Sequence, residues 1–201
     1  MPSLAAKLEY VSVEDFLAGE RASEVKHEYV DGQVYAMAGA SVRHNLIAGN
    51  MYALLWNHLR GAACFPLTND MLLKTSKSKF RYPDLMVVCE GDSSDDDYIR
   101  EQPVLVVEVL SRSTRRQDKT EKRAEYLALP SLQEYVLIEQ EYAEVEVQRR
   151  RNQWQPEFFY LGQAFMLESV NANLSVEELY QRVDNDDVKA YLEQKQLQSE
   201  G

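Results

Sequence analysis

The sequence predicts a mixed α/β fold: a central mixed β-sheet flanked by helices, with an N-terminal hairpin and a C-terminal hairpin. Apolar residues recur at helical spacing from Val42 to Leu59. Residues 103–110 form a nearly continuous apolar and β-branched run, which is typical of an inner strand. The order of helix, three strands, helix and strand indicates a mixed arrangement, because a doubly wound sheet would alternate strictly.

The first elements each carry a local signal. Ser12 precedes two acidic residues, which predicts an N-cap and a short helix through about Leu17. The pair Asp31-Gly32 between apolar residues predicts a two-residue hairpin turn. The long helix is expected to end at Gly61.

The later elements follow from apolar runs and capping residues. We predict strands over 63–67, 80–89 (interrupted by Pro83), 103–110 and 134–139, a charged helix over 114–129, a hairpin over 145–160, and a last helix after Ser175. The polar end of the chain is expected to be frayed. We therefore predict a single domain over residues 1–183 and an acidic tail over 184–201.

The charge balance bears on the choice of partner. The 201 residues carry a net charge of −11, which disfavours nucleic acid, because phosphate contacts need basic residues. The basic residues are nevertheless clustered, and one window without acids holds Lys74, Lys77, Lys79 and Arg81. A local basic face therefore stays open beside the plainer interpretation of solvated surfaces. The candidates for nucleic-acid binding are Lys74, Lys77, Arg115, Arg116 and Lys119.

The cellular compartment is predicted from what the sequence lacks. Cys64 and Cys89 lie in no C-x-x-C motif, so a disulfide is possible but unnecessary and a reducing cytosol fits. The first ten residues contain no signal-like apolar run, and no stretch reaches the length of a membrane span. We expect a cytoplasmic protein with no membrane partner.

Two carboxylates suggest chemistry. Glu108 lies in a strand that is apolar on both faces, where an ionised side chain is costly unless it is paired or binds a metal. Asp84 follows Pro83 at the start of another apolar strand. A buried ion pair and an ordinary turn are the plain alternatives. If the two converge, they suit Mg²⁺, which takes one or two carboxylates plus water and phosphate.

Several motifs in order resemble a known family. They are H-E-Y-V-D-G at 27–32, Ser41-x-x-His44, Tyr82-Pro83-Asp84, E-V-L-S at 108–111, Asp118-x-x-x-Lys122-x-x-x-Tyr126 and E-Y-V-L-I at 134–138. Together they resemble the Uma-two family of restriction-endonuclease-type proteins within the PD-(D/E)xK nuclease superfamily. The resemblance implies a restriction-endonuclease-like core. It also implies that Asp84 and Glu108 bind Mg²⁺, with Mn²⁺ as a substitute.

One position departs from the superfamily pattern, because Leu110 stands where the (D/E)xK lysine is expected. The resemblance implies that Lys122 supplies the amine from the following helix, with Asp118 and Tyr126 on the same helix face. An ordinary surface pair of Asp118 and Lys122 is the alternative. The resemblance also implies that Glu28 and His44 lie near the site, so Lys122, Glu28 and His44 are the catalytic candidates.

The function expected from these residues is metal-dependent hydrolysis of DNA phosphodiester bonds, by a homodimer if both strands are cut. A catalytically inactive module that binds nucleic acid or protein on the same fold is the alternative, favoured by Leu110 and by the acidic charge. A structural protein in which Glu108 forms a buried ion pair is a third hypothesis.

Overall fold

The helices and strands are defined in a computed structural model that describes residues 10–92 and 94–199. The helices are α1 (Val13–Ala22), α2 (Val42–His58), α3 (Arg115–Gln117), α4 (Arg123–Leu127), α5 (Val176–Leu179) and α6 (Asp186–Ser199), and a π-helical turn (Asp118–Lys122) joins α3 to α4. The strands are β1 (His27–Val30), β2 (Gln33–Ala36), β3 (Cys64–Thr68), β4 (Leu72–Ser76), β5 (Lys79–Arg81), β6 (Leu85–Cys89), β7 (Ile99–Arg100), β8 (Leu105–Leu110), β9 (Glu134–Glu139), β10 (Val145–Arg149), β11 (Pro156–Phe159), β12 (Ala164–Leu167) and β13 (Ala172–Ser175).

A six-stranded central sheet has the order β11-β10-β9-β8-β6-β3. Strand β8 pairs with β9 in parallel, and the other neighbours in this sheet are antiparallel. Every residue of β8 and β9 is buried, which agrees with the apolar runs that predicted inner strands. The predicted mixed α/β fold with a central mixed sheet is confirmed.

A second sheet, of the order β2-β1-β5-β4-β7, contains the predicted hairpin at Asp31-Gly32. The strand expected over 80–89, interrupted by Pro83, is two strands in different sheets, because β5 belongs to this second sheet and β6 to the central one. Pro83 lies between them and has no N–H to donate to a ladder, so the chain crosses from one sheet to the other at this point. The crossing places Asp84 at the beginning of β6.

The two faces of the central sheet are covered differently. Helix α2 packs Ile47, Met51 and Leu55 into the core on one face. Strand residues Val106 and Leu110 face the opposite side, where Tyr126 of α4 joins a second core cluster. Because side chains alternate along a strand, Glu108 shares this second face.

The end of the chain differs from the expected frayed tail. Residues 186–199 form α6, whose start is held by the side chain of Asn185, which accepts a hydrogen bond of 2.9 Å from the backbone N–H of Val188. Val188 packs into the core, so its burial adds to the local capping. The sequence analysis also missed β4, β7, β12 and β13, which are short and lack a clear alternation. Residues 1–9 and 200–201 of the predicted domain and tail lie outside the described residues.

Two further features concern the predicted compartment. Cys64 and Cys89 lie opposite each other on β3 and β6 and are joined by a disulfide. The sequence analysis had treated this bond as possible but unnecessary. In the described part of the chain, helices of the length and apolarity that a membrane span requires are absent.

Candidate active site

Asp84 and Glu108 meet where β6 begins beside β8. The backbone N–H of Asp84 donates to Oε2 of Glu108 at 3.3 Å, and the backbone N–H of Val109 donates to Oδ2 of Asp84 at 2.7 Å. Leu85 pairs with Val107 in the antiparallel ladder, so the residues before and after them are also opposed. The strand register therefore brings the two predicted carboxylates together.

A helical segment covers Glu108 from above the sheet. Lys122 donates from Nζ to Oε1 of Glu108 at 3.2 Å, and the hydroxyl of Tyr126 donates to the same oxygen at 2.8 Å. Asp118, one turn earlier, lies 3.3 Å from the ammonium of Lys122. The three side chains share one helix face, as their four-residue spacing predicted. The π-helical turn that carries Asp118 and Lys122 is a rare element that often occurs at functional sites.

Lys122 is surrounded by three carboxylates. Its Nζ lies 3.1 Å from Glu28, 3.2 Å from Glu108 and 3.3 Å from Asp118. Burial alone lowers the pKa of the Lys122 amine, but the charges of Glu108, Glu28 and Asp118 outweigh burial and raise that pKa above its ordinary value. The amine is therefore a fixed cation, and the alternative of a surface pair with Asp118 is wrong because both side chains are buried.

Two carboxyl groups of the cluster, Glu108 and Asp118, have raised pKa values. Burial raises the pKa of Glu108 well above its ordinary value, and the charges of Asp118, Asp84 and Glu28 add to this against the opposing effect of Lys122. Burial likewise raises the pKa of Asp118. Glu28, Glu108 and Asp118 thus share the single amine of Lys122.

Glu28 is held by a second cation. Arg81 is fully buried, donates to Oε2 of Glu28 at 2.8 Å, and contacts both oxygens of Glu125 at 2.9 and 2.7 Å. Glu28 lies on β1, whose neighbour β5 ends at Arg81. The sequence analysis grouped Arg81 with basic residues of an exposed face. That interpretation is wrong, because the side chain is internal and fixes Glu28 beside Lys122.

His44 reaches Asp84 from the start of α2. Ser41 caps this helix by accepting from the N–H of His44 at 3.1 Å, which fixes His44 in the first turn. Its Nε2 lies 3.1 Å from Oδ2 of Asp84. Burial alone lowers the pKa of His44, but the hydrogen bond and charge of Asp84 raise it above its ordinary value.

The residues present can be tested for a divalent metal. Among the residues that the structure describes, no group of three or more His, Cys, Asp or Glu side chains is arranged to hold an ion. Asp84 and Glu108 nevertheless supply two hard oxygen donors side by side, joined through the backbone N–H of Asp84. This donor set fits Mg²⁺, which keeps several waters and needs one or two carboxylates.

The five candidates for nucleic-acid binding are not brought together. Lys74 pairs with Glu101 at 2.8 Å and lies opposite Phe80 in the ladder, so it faces away from Glu28 and Arg81. Lys77 lies in the exposed turn between β4 and β5.

The other three candidates lie on the helical segment after β8. Arg115 binds Glu139 at 2.5 Å, Lys119 binds Glu146 at 3.2 Å, and Arg116 is exposed. These three residues are therefore nearer to Glu108 in sequence than Lys74 and Lys77 are.

Sequence reasoning had not assigned a site role to Asp118, Arg81 or Tyr126. Asp118 and Tyr126 had a usable signal, since their spacing from Lys122 placed them on one helix face. Arg81 had none, because its internal position depends on the pairing of β1 with β5, which the sequence does not reveal.

Comparisons with known proteins agree with this architecture. The Uma2 family, described as "Putative restriction endonuclease", matches residues 13–180. An uncharacterized Synechocystis protein, slr1290, is 30% identical over 181 residues, which cover 89% of this chain and 95% of that protein. A second, sll1609, is 32% identical over 140 residues, or 68% of this chain and 79% of that protein. A crystal structure described as a putative nuclease from Anabaena variabilis shares the fold with a TM-score of 0.72 at 18% identity, covering 85% of this chain and 98% of its own.

Proposed function

The chain belongs to the Uma2 family, and on that premise we propose that it is a metal-dependent endonuclease that hydrolyses phosphodiester bonds of DNA. The observation that carries the proposal is the convergence of Asp84 and Glu108, joined by a backbone hydrogen bond of 3.3 Å, with the Lys122 ammonium 3.2 Å from Glu108. Two carboxylates can hold a divalent metal ion, and the ion and the Lys122 ammonium together can bind an anionic phosphate ester.

Asp84 and Glu108 are the residues that would hold Mg²⁺, with Mn²⁺ as a substitute. A divalent ion at such a site polarises the phosphate and lowers the pKa of water. Asp84 is held in position by the Val109 N–H and by His44, and Glu108 by Lys122 and Tyr126. Both ligand carboxylates are thus oriented before any substrate arrives.

Lys122 acts in this proposal as a cation. An amine whose pKa is raised by three carboxylates stays protonated at neutral pH and accepts no proton. Its ammonium would orient the attacking water and offset the negative charge that develops on the phosphate. Glu28 and Asp118 hold the ammonium on either side of Glu108, and His44 supports Asp84.

The basic residues nearest the site in sequence are proposed to contact the DNA backbone without reading its sequence. They are Arg115, Arg116 and Lys119; Lys74 and Lys77 remain proposals for a more distant contact. A two-fold homodimer would place two sites on opposite strands, and we include it for double-strand cleavage.

A binding module without turnover is the second candidate. Leu110 is fully buried at the position where the superfamily pattern has its lysine, and the net charge of −11 opposes a large DNA interface. Such a module would bind DNA and leave it uncut with or without metal.

Cleavage of supercoiled plasmid and single-stranded DNA in Mg²⁺ or Mn²⁺ tests the proposal. The parent should cut, and Asp84→Asn should not. Asp184→Asn is the matched control, because this exposed aspartate pairs with Lys189 at the surface. A parent that cuts neither substrate in either metal, or an Asp84→Asn variant as active as the parent, would overturn the enzyme hypothesis.

A further inference from the structure

Two arginines from different elements share one glutamate at an end of the central sheet. Nη2 of Arg43, in the first turn of α2, lies 3.7 Å from Oε1 of Glu141. Nη2 of Arg112, two residues after β8, donates to Oε2 of the same carboxylate at 3.0 Å. Glu141 follows β9 in the turn to β10. Its two oxygens therefore lie between two guanidinium groups, one on each side.

This arrangement is next to the candidate active site. Arg43 precedes His44, whose Nε2 lies 3.1 Å from Asp84, and Arg112 is four positions after Glu108 on the same chain segment. Ser41, at the cap of α2, also donates to Gln140 at 2.6 Å, which ties the start of α2 to the β9–β10 turn. The two guanidinium groups thus lie on the same side of the molecule as the carboxylates of Asp84 and Glu108.

The exposure of the three side chains allows a ligand to enter. The side chain of Arg112 is 84% exposed and that of Arg43 is 37% exposed, whereas Glu141 is 21% exposed. An ion pair at this degree of exposure contributes little stability and exchanges readily with solvent. An outside anion can therefore compete with Glu141 for both arginines.

The chemistry of two facing guanidiniums selects the ligand. A guanidinium presents a planar set of donors that matches the oxygens of carboxylate and phosphate groups. A phosphodiester carries two non-bridging oxygens on one centre, as the Glu141 carboxylate does. We propose that Arg43 and Arg112 form a clamp for a backbone phosphate of nucleic acid, and that Glu141 occupies this clamp until the phosphate displaces it.

The clamp rests on the proposed function, because it supplies the DNA contact that a nuclease with a net charge of −11 requires. It assigns this contact to residues other than the five predicted from charge clustering. Glu141 then weakens DNA binding in competition with the phosphate, so removing its charge strengthens binding.

Binding of a fluorescein-labelled DNA duplex to the metal-free full chain tests the clamp. The affinity is measured by anisotropy in EDTA over a series of salt concentrations. Because both arginines hold the same phosphate, the double variant Arg43→Gln/Arg112→Gln should reduce the magnitude of the slope of log K against log salt by roughly 0.9, the value for one phosphate contact. Each single variant should lose part of that amount. Glu141→Gln should tighten binding several-fold.

Arg60→Gln is the matched control, because it removes the same charge roughly 25 Å away at the other end of α2. Its slope should equal that of the parent. The clamp is overturned if Arg60→Gln lowers the slope as much as Arg43→Gln, or if Glu141→Gln binds no tighter than the parent. A parent that binds no DNA at any salt concentration overturns the clamp, and a parent that also cuts no DNA in Mg²⁺ or Mn²⁺ overturns the proposed nuclease. DNA binding with unchanged slopes overturns the clamp alone.

Discussion

The backbone N–H of Asp84 donates a hydrogen bond of 3.3 Å to the carboxylate of Glu108, 24 positions later in the chain. Val109, the neighbour of Glu108, returns a bond of 2.7 Å from its own N–H to Asp84. Each carboxylate is therefore fixed by the other's strand. These two hydrogen bonds keep the two acidic groups adjacent, and they are the basis of the proposed site.

Tyr126→Phe should weaken both the fold and the metal site. The hydroxyl donates to Glu108 at 2.8 Å, and losing a buried hydrogen bond costs about 1 kcal/mol of unfolding free energy. Because this donor favours the ionised carboxylate, Mn²⁺ affinity should fall several-fold. Urea denaturation and calorimetry measure the two effects.

Tyr135→Phe is the control for this change. Tyr135 is equally buried and packs against Tyr126, but its hydroxyl donates to the backbone oxygen of Asp118 at 3.0 Å. It should lose similar stability and keep the Mn²⁺ affinity. Equal losses of affinity in the two variants would contradict the direct role of Tyr126.

His44→Gln should cost more stability at pH 6 than at pH 9. Asp84 raises the pKa of His44 above its ordinary value of 6.5, against the lowering effect of burial. A raised histidine pKa adds stability that is fully present below 6.5 and is lost as the pH rises through the folded-state pKa. Melting temperatures of parent and variant at the two pH values measure this. If the melting temperatures of parent and His44→Gln differ by the same amount at both pH values, the charged contact with Asp84 is contradicted.

Arg81→Lys should be strongly destabilising although it keeps the charge. The guanidinium is fully buried and binds Glu28 and both oxygens of Glu125, which a lysine cannot do at once. Breaking such a buried network costs about 3 kcal/mol or more of unfolding free energy. Arg151→Lys, at an exposed pair with Glu168, should change little in the same urea titration. Equal effects would show that Arg81 is not an internal anchor.

Asp118→Asn should weaken the positioning of the Lys122 ammonium. Asp118 is 1% exposed, so its side chain does not contact the substrate. The rate at which Lys122 is acetylated, measured by mass spectrometry, should rise roughly tenfold, because its ammonium loses one of its three carboxylate partners. The kcat for DNA cleavage should fall and the KM should stay the same.

Glu146→Gln is the control, because Glu146 pairs with Lys119 of the same helical segment at 3.2 Å. It should speed the acetylation of Lys119 and leave Lys122 unchanged. If Asp118→Asn exposes both lysines alike, the helix has loosened as a whole and Asp118 does not position Lys122.

Much of the fold could be predicted because its signals are local. The apolar run of β8, the Asp31-Gly32 turn and the spacing of α2 each report on their own segment. The assignment of residues 79–89 to two sheets could not be predicted, since it depends on which distant strands pair. For the same reason Arg81 was taken for a surface residue.

The residues of the candidate site could be predicted only where a single segment of the chain shows an unusual residue pattern. An acid inside the apolar strand of Glu108 is an anomaly that a single sequence reveals. The contact of His44 with Asp84 joins residues 40 positions apart, and the family resemblance implied only that His44 lies near the site. Arg43 and Arg112 likewise meet through Glu141, which charge clustering along the chain could not show.

Calorimetric titration of Mn²⁺ into the full-length parent, Asp84→Asn and Glu108→Gln at low ionic strength tests the central claim most directly. The account predicts saturable binding by the parent and loss of binding in both variants, with each variant still folding cooperatively. Binding by both variants at the parent's affinity, or none by the parent with and without DNA, would contradict the assignment of Asp84 and Glu108 as the metal site.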